Sequence, residues 1–199
     1  GFQQEGISPS VKDKIAIAKL IDSLGVSFIE GGWPGASPKE EEFFETAKRE
    51  LKLKNAKLVS FGSTRKLELL AKDDPQVKAL IDSGTDYICI VGKSSKLHIT
   101  KALQTDVDSA IDMAVDTILY LKSKGKKVFF DAEHFFDGYK EDSETSLKIL
   151  ESVVTAGADC FIFCDTNGGT LPEEVRKILS DVIEQYPKTK FGVHFQNDN

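Results

Sequence analysis

Strict alternation of two patterns is the feature that most restricts what this chain can fold into. Short apolar runs at residues 26–29, 57–61, 87–91, 128–130, 160–164 and 190–193 are separated by longer amphipathic stretches, with little else between them. The runs are rich in Val, Ile, Phe and Tyr, the composition of strands buried in a parallel sheet. In the longer stretches the apolar residues recur every three or four positions: Val11, Ile15, Ala18, Ile21 and Leu24; Val107, Ala110, Ile111, Ala114, Ile118 and Leu121; Leu147, Leu150 and Val154; Val175, Ile178, Leu179, Val182 and Tyr186. That spacing paints one face of a helix. Helix starts are marked by Ser10-Val11-Lys12-Asp13, by Ser37-Pro38-Lys39-Glu40 and by Thr170-Leu171-Pro172-Glu173, each with a capping hydroxyl and an acid in the first turn. Gly25, Gly84, Gly125 and Gly157 stand just before a strand, where a left-handed helix cap belongs.

Alternating strands and helices imply an α/β fold with a parallel sheet and right-handed crossovers. Six strands suit either a doubly wound sheet or six-eighths of a (β/α)8 TIM barrel, and the polar residues decide between them. Glu30, residues 63–65, Lys93, Glu133, His134, Asp165, Thr166, His194 and Gln196 sit at or just past the ends of all six runs. Chemistry drawn from every strand end is barrel behaviour, whereas a doubly wound sheet gathers its ligand at one switch point. No GxGxxG or P-loop follows any strand. With no Pro/Ser/Gly-rich linker, residues 1–199 read as one partial barrel domain. Gly1 opens at a loop and Asn199 follows the dense polar run HFQNDN, so a piece of a longer enzyme is expected.

A net charge of −6 argues against a nucleic-acid or anionic-membrane binder. No apolar run approaches the ~20 residues of a membrane span. The odd number of cysteines (Cys89, Cys160 and Cys164) inside apolar runs reads as buried, reduced thiols in the cytoplasm. A zinc pair from Cys160 and Cys164 is disfavoured, because side chains four apart on a strand share a face but lie ~13 Å apart.

Several strand-end residues are candidates for chemistry. His194 and Gln196 alternate on one strand and so point the same way; an imidazole is a common metal ligand and an amide oxygen a weaker one. A histidine hydrogen-bonded at a strand end is the plainer alternative. Asp131 and Glu133 are likewise two apart, and their aromatic neighbours would dry a site and raise a carboxylate's pKa; a helix-entry acid in a solvated loop is the alternative. In Asp165-Thr166-Asn167-Gly168-Gly169-Thr170 two glycines let a substrate approach the backbone, and Thr166 could donate to a carboxylate, though the segment also suits a turn into a helix capped by Thr170. Arg65, Lys66, Lys93, Lys96 and Lys101 could attract an anion or form a solvated face. Trp33 reads as a pocket wall or a loop anchor, and His98 has no evident partner.

Five segments in order resemble one family. Residues 2–8 (FQQEGIS), 29–35 (IEGGWPG), 61–65 (FGSTR), 131–139 (DAEHFFDGY) and 164–172 (CDTNGGTLP) are similar to the citramalate synthase branch of the isopropylmalate and homocitrate synthase superfamily, which includes barrels like HMG-CoA lyase. The resemblance implies barrel strands two to seven, with strands one and eight missing, so that an isolated piece would expose sheet edges and aggregate. It implies an acyltransferase that condenses acetyl-CoA with a 2-oxo acid held by a divalent ion (Mg, Mn or Zn) acting as Lewis acid. With pyruvate the product would be (R)-citramalate, towards isoleucine. A homodimer is expected for the full-length enzyme.

Residue by residue, the resemblance makes His194 a metal ligand and puts Gln196 where a second ligand histidine belongs, with Asn197 and Asp198 in register. It makes Glu133 the active-site glutamate that positions the oxo acid and Thr166 the carboxylate-binding threonine. Arg65 and Lys93 are further candidate anion contacts. An Arg-Asp pair would precede Gly1. Gln196 is the departure that admits a rival, a barrel that binds metabolites without turnover. Another 2-oxo acid, or a Schiff-base lysine at Lys93, would make different enzymes.

Overall fold

The computed structural model describes residues 6–196. Along the chain run α1 (Val11–Ser23), β1 (Phe28–Gly32), α2 (Pro38–Glu50), β2 (Lys57–Ser63), a 3-10 turn (Ala71–Asp73), α3 (Pro75–Asp82), β3 (Tyr87–Lys93), α4 (Lys96–Lys101), α5 (Val107–Ser123), β4 (Lys127–Glu133), α6 (Phe135–Glu141), α7 (Ser143–Thr155), β5 (Cys160–Asp165), α8 (Pro172–Ile183) and β6 (Phe191–Phe195). The sheet order is β1-β2-β3-β4-β5-β6 and every pairing is parallel. Neighbours in sequence are neighbours in the sheet, so no switch point exists among the described strands. The sheet curls as six consecutive strands of an incomplete barrel, as the polar strand ends imply.

Alternation along each strand divides its side chains between two environments. Ile88, Ile90, Val128, Phe130, Phe161 and Phe163 face the helices and are fully buried, packed with Ile118 and Leu121 of α5, Leu150 and Val153 of α7, and Val182 of α8. This sheet–helix layer is the main core. Partners in register then place Cys89, Phe129, Asp131, Ile162, Cys164 and His194 on the opposite, concave side. Phe28, Tyr87 and Phe129 meet there, their ring centroids 5.0–5.6 Å apart, and form an aromatic floor beneath the polar strand ends.

The expected helix starts hold with one correction. Ser10 and Asp13 form a complete capping box and Ser37 caps α2. Thr170 does not cap α8: its hydroxyl donates to Asp165 Oδ1 at 2.8 Å, and the Leu171 N–H at the cap position donates to Glu174 Oε2 at 2.9 Å. The buried Asp165 carboxylate competes for the hydroxyl and folds the 165–170 loop back on its own strand. The four glycines expected before strands all have positive φ.

Strand ends also differ from the sequence reading. β2, β3, β4 and β6 run two or three residues further, and β1 begins and ends later than residues 26–29. The extensions hold Gly62, Gly92, Asp131 and Glu133, residue types that suggest a loop; neighbouring strands supply backbone partners that keep them in the ladder.

Candidate active site

The C-terminal strand ends gather the ionisable groups. Cys164 of β5 is in register with His194 of β6, and Asp131 of β4 lies on the same face, its Oδ2 3.7 Å from His194 Nδ1. Asp131 is 7% exposed, while the His194 side chain is 55% exposed. The arrangement is closed on the sheet side and open towards the concave mouth. Burial pushes the Asp131 carboxyl up, against the pull of Cys89 and His194. Burial also pushes up Glu30 on β1, reinforced by the Asp131 charge, and the thiols of Cys89 and Cys164.

One step further out, Glu133 ends β4 and Lys93 ends β3; they are partners in register and form an ion pair. The pairing places a carboxylate and an ammonium side by side at the rim. Thr166 follows β5, and its Oγ1 accepts the His134 N–H at 2.8 Å, which leaves the hydroxyl proton to donate elsewhere. Glu133, Thr166 and His194 therefore come from adjacent strands at the same end of the sheet, as expected. Gln196 follows His194 in the same alternation, exposed, with its N–H on Asp165 O at 3.3 Å. Asn197 and Asp198 lie outside the described residues, as does the 2–5 part of the first matching segment.

A cavity of about 460 Å³ opens beside this rim, bounded by Ser63, Arg65, Val91, Lys93, Met113 and Glu133. Arg65 is a wall of it but offers no free cation. Its 5% exposed guanidinium is paired with Asp112 and, at 2.6 Å, with Asp116, and it donates to Lys66 O and Leu67 O. Asp112 and Asp116 stand one turn apart on α5 and hold the guanidinium between them. The expected role of Arg65 as an anion contact gives way here to an ionic lock between the β2 loop and α5. A smaller cavity, about 220 Å³, lies near Lys57 and Tyr87 at the other strand ends, away from these groups.

Two aromatic residues find places the sequence left open. Trp33 meets Phe61 edge-on at 5.9 Å. His98, expected to lack a partner, stacks on His134 at 3.6 Å and 9°. His134 itself has a left-handed φ of 60° and is buried; burial, then the neighbouring His98, pushes the pKa of its imidazole down.

The sequence reading placed Glu30 at a strand end without a role and took Cys89 and Cys164 as buried thiols; all three lie near Asp131 beneath the rim. The usable signal was alternation: Cys164 is two residues before Thr166, as Asp131 is two before Glu133, so both belong to the layer beneath the rim. The discounted Cys160–Cys164 pair stays apart. Among the described residues, Asp131, Cys164 and His194 offer donors within 4.8 Å of one another. An imidazole, a carboxylate and a thiol at that spacing fit a divalent transition ion.

Fold and rim together define a parallel α/β-barrel domain with a metal-competent C-terminal mouth. The HMGL-like family model matches residues 1–199, and the chain belongs to that family. It is 47% identical to the (R)-citramalate synthase of Aquifex aeolicus over 199 residues, covering 100% of this chain and 38% of the relative. It is 32% identical to the homocitrate synthase of Sulfolobus acidocaldarius over 203 residues, covering 100% of this chain and 40% of the relative. The chain thus spans about two fifths of these relatives. Among solved structures, the HMG-CoA lyase of Bacillus subtilis superposes with a TM-score of 0.80 at 17% identity, over 99% of this chain and 65% of the lyase, a likeness of fold. Synthases of the HMGL-like family generally use a divalent metal and acetyl-CoA.

Proposed function

We propose that this chain is the barrel core of an acyltransferase that condenses acetyl-CoA with pyruvate to give (R)-citramalate and CoA. The observation that carries the reading is the margin between 47% identity to a citramalate synthase and 32% to a homocitrate synthase, over the whole chain in both cases. A divalent ion at His194, with Gln196 as the family-position second donor, would supply Lewis-acid polarisation of the oxo acid's carbonyl.

The protein's own groups do the rest of the positioning. Thr166 has an unused hydroxyl proton to give the substrate carboxylate, because its oxygen is already fixed by the His134 N–H. Glu133 orients the oxo acid, and its pairing with Lys93 places a positive charge beside the incoming anion. Phe28, Tyr87 and Phe129 pack against one another beneath the site. In the overall step the acetyl methyl loses a proton and forms the new carbon–carbon bond to the keto carbon, whose C=O π bond opens and whose oxygen takes up a proton to become the hydroxyl. Water then cleaves the thioester, releasing CoA as the free thiol and leaving a carboxylate. The three free cysteines fit a reducing compartment, and we place the enzyme in the cytoplasm.

Thiol release by the full-length protein, with acetyl-CoA and a panel of 2-oxo acids, tests the reading. Pyruvate is expected to be the best acceptor; faster turnover with 2-oxoglutarate or 2-oxoisovalerate would assign the barrel to another synthase. Within that assay Thr166→Val is expected to raise KM for pyruvate more than it lowers kcat. Glu133→Gln is expected to lower kcat ~10²-fold or more, in the range for a group acting on the reacting atoms.

A further inference from the structure

We propose that His98 and His134 are positioning residues: their stacked rings set the backbone turn after Glu133 and, through it, aim the Thr166 hydroxyl at the substrate carboxylate. The proposal rests on the synthase reading for the role of Thr166; the coupling of the rings to Thr166 is argued from their contacts alone.

The peptide unit that joins Glu133 to His134 is held on both sides. Its carbonyl accepts the Ser94 N–H at 3.0 Å and the Ser94 hydroxyl at 2.7 Å. Its N–H donates to Thr166 Oγ1 at 2.8 Å. That last bond lies just beyond Ala132 and Phe163, the final partners of the β4–β5 ladder, so a side-chain hydroxyl carries on where backbone pairing stops. The orientation of this one peptide therefore decides where the Thr166 oxygen sits.

The residue that follows the peptide is strained. His134 has φ 60° and ψ 32°, a left-handed conformation that a residue other than glycine keeps only where its surroundings impose it. Among the described residues no hydrogen bond holds the ring at Nδ1, which is buried without a partner, and Asp137 Oδ2 at 3.8 Å is out of reach. The contact that orients the ring is His98, parallel to it within 9° at 3.6 Å.

His98 presses from a fixed base. Its neighbour Ile99 on α4 is fully buried. Ser94 O, just before α4, accepts the Ser146 hydroxyl of α7 at 2.9 Å, and α6 lies so close that a Cβ on Gly138 would stand 2.7 Å from Ser94 O and Ser95 Cα. Beyond α4 the chain supplies Leu103 and Thr105 to the wall of the 460 Å³ cavity. The two rings thus link that wall to the carboxylate-binding threonine.

A double-variant cycle on the full-length protein, with acetyl-CoA and pyruvate, tests the coupling. His98→Ala is expected to raise KM for pyruvate at least ~2-fold, the low end of coupling within one hydrogen-bonded network, with kcat little changed. His98→Phe, which keeps a flat ring against His134, should restore KM. In a Thr166→Val background His98→Ala should add nothing to the KM already raised, because the hydroxyl through which it acts is gone. A merely structural His98 would give additive effects instead. Hydrogen exchange read by mass spectrometry is independent of turnover: His98→Ala should speed exchange in peptides covering residues 131–139 and 164–172. His98→Gln carries the same expectations where the alanine variant does not fold. The proposal is overturned if KM and exchange in both segments stay at wild-type values, if His98→Phe does not restore KM, or if the His98 and Thr166 effects add. Should another 2-oxo acid outpace pyruvate, the citramalate reading fails, while the same cycle run with that acid still decides the coupling, since every 2-oxo acid offers the same carboxylate. With no turnover of any acid, the exchange data decide it alone.

Discussion

Asp22 and Glu30 are carboxylates whose surroundings pull in opposite directions, with opposite consequences for stability. Asp22, near the end of α1, accepts the backbone N–H groups of Lys54, Asn55 and Ala56 at 2.7–2.9 Å, and these bonds hold its pKa down. Its contribution is present above the ordinary carboxylate range near pH 4 and is lost as pH falls through the lowered value. Asp22→Asn should therefore destabilise the protein at neutral pH and flatten the acid limb of a denaturation midpoint plotted against pH. Glu30 is the reverse case. Burial raises its pKa, so the folded state holds the proton more tightly than the unfolded chain, and its contribution is lost as pH rises through the raised value. Glu30→Gln should remove that loss; a stability profile unchanged just above the ordinary carboxylate range would show that Glu30 is not the group responsible.

Arg65 gives a sharper contrast between binding and folding. Arg65→Ala would strand two carboxylates of α5, one of them 71% exposed, and is expected to cost about 2 kcal/mol in stability while leaving KM for pyruvate near the wild-type value. A large rise in KM with stability intact would restore it as an anion contact. At this scale the sequence revealed residue type and strand position for Glu133, Thr166 and His194, because alternation and strand ends are one-dimensional properties. It did not reveal that the Arg65 charge is already neutralised by Asp112 and Asp116, or that His98 lies on His134, because those partners are 47, 51 and 36 residues away in sequence.

Among the elements, α6 matters most to the rim, since it begins two residues after Glu133. Phe135 and Phe136 are fully buried, and Phe135 meets Phe163 edge-on at 4.7 Å. Phe135→Ala is expected to cost about 3–5 kcal/mol, the range for an aromatic core truncation, read as a shift in the urea midpoint. Gly138 fixes where the helix lies: an added Cβ would come within 2.7 Å of Ser94 O and Ser95 Cα, both backbone. Gly138→Ala should push α6 away from the loop after β3, where Lys93 ends its strand, and lower turnover along with stability. The long helices were legible from their apolar spacing, since α1, α5, α7 and α8 each present one face to the sheet. The short α4 and α6 were not, because six or seven residues offer too few repeats of the pattern and α6 is set by its Phe side chains against β5.

For the whole molecule, the parallel order follows from the alternation of elements, and the curl from the strand-end polarity that every strand shares. β1 and β6 are the edges of the described sheet, and Phe28, Val193 and Phe195 near them are 44–50% exposed. The 199-residue chain on its own is therefore expected to self-associate in size-exclusion chromatography with light scattering, whereas a monodisperse monomer would show that the edges are tolerated.

The placement of Glu133, Thr166 and His194 around one substrate is the claim on which the chemistry depends. A crystal structure of the full-length protein soaked with pyruvate measures it directly. The account predicts the pyruvate carboxylate on the Thr166 hydroxyl, its keto group towards His194 and Glu133 within contact of both. Pyruvate bound elsewhere, or an imidazole of His194 turned into apolar packing, would contradict it.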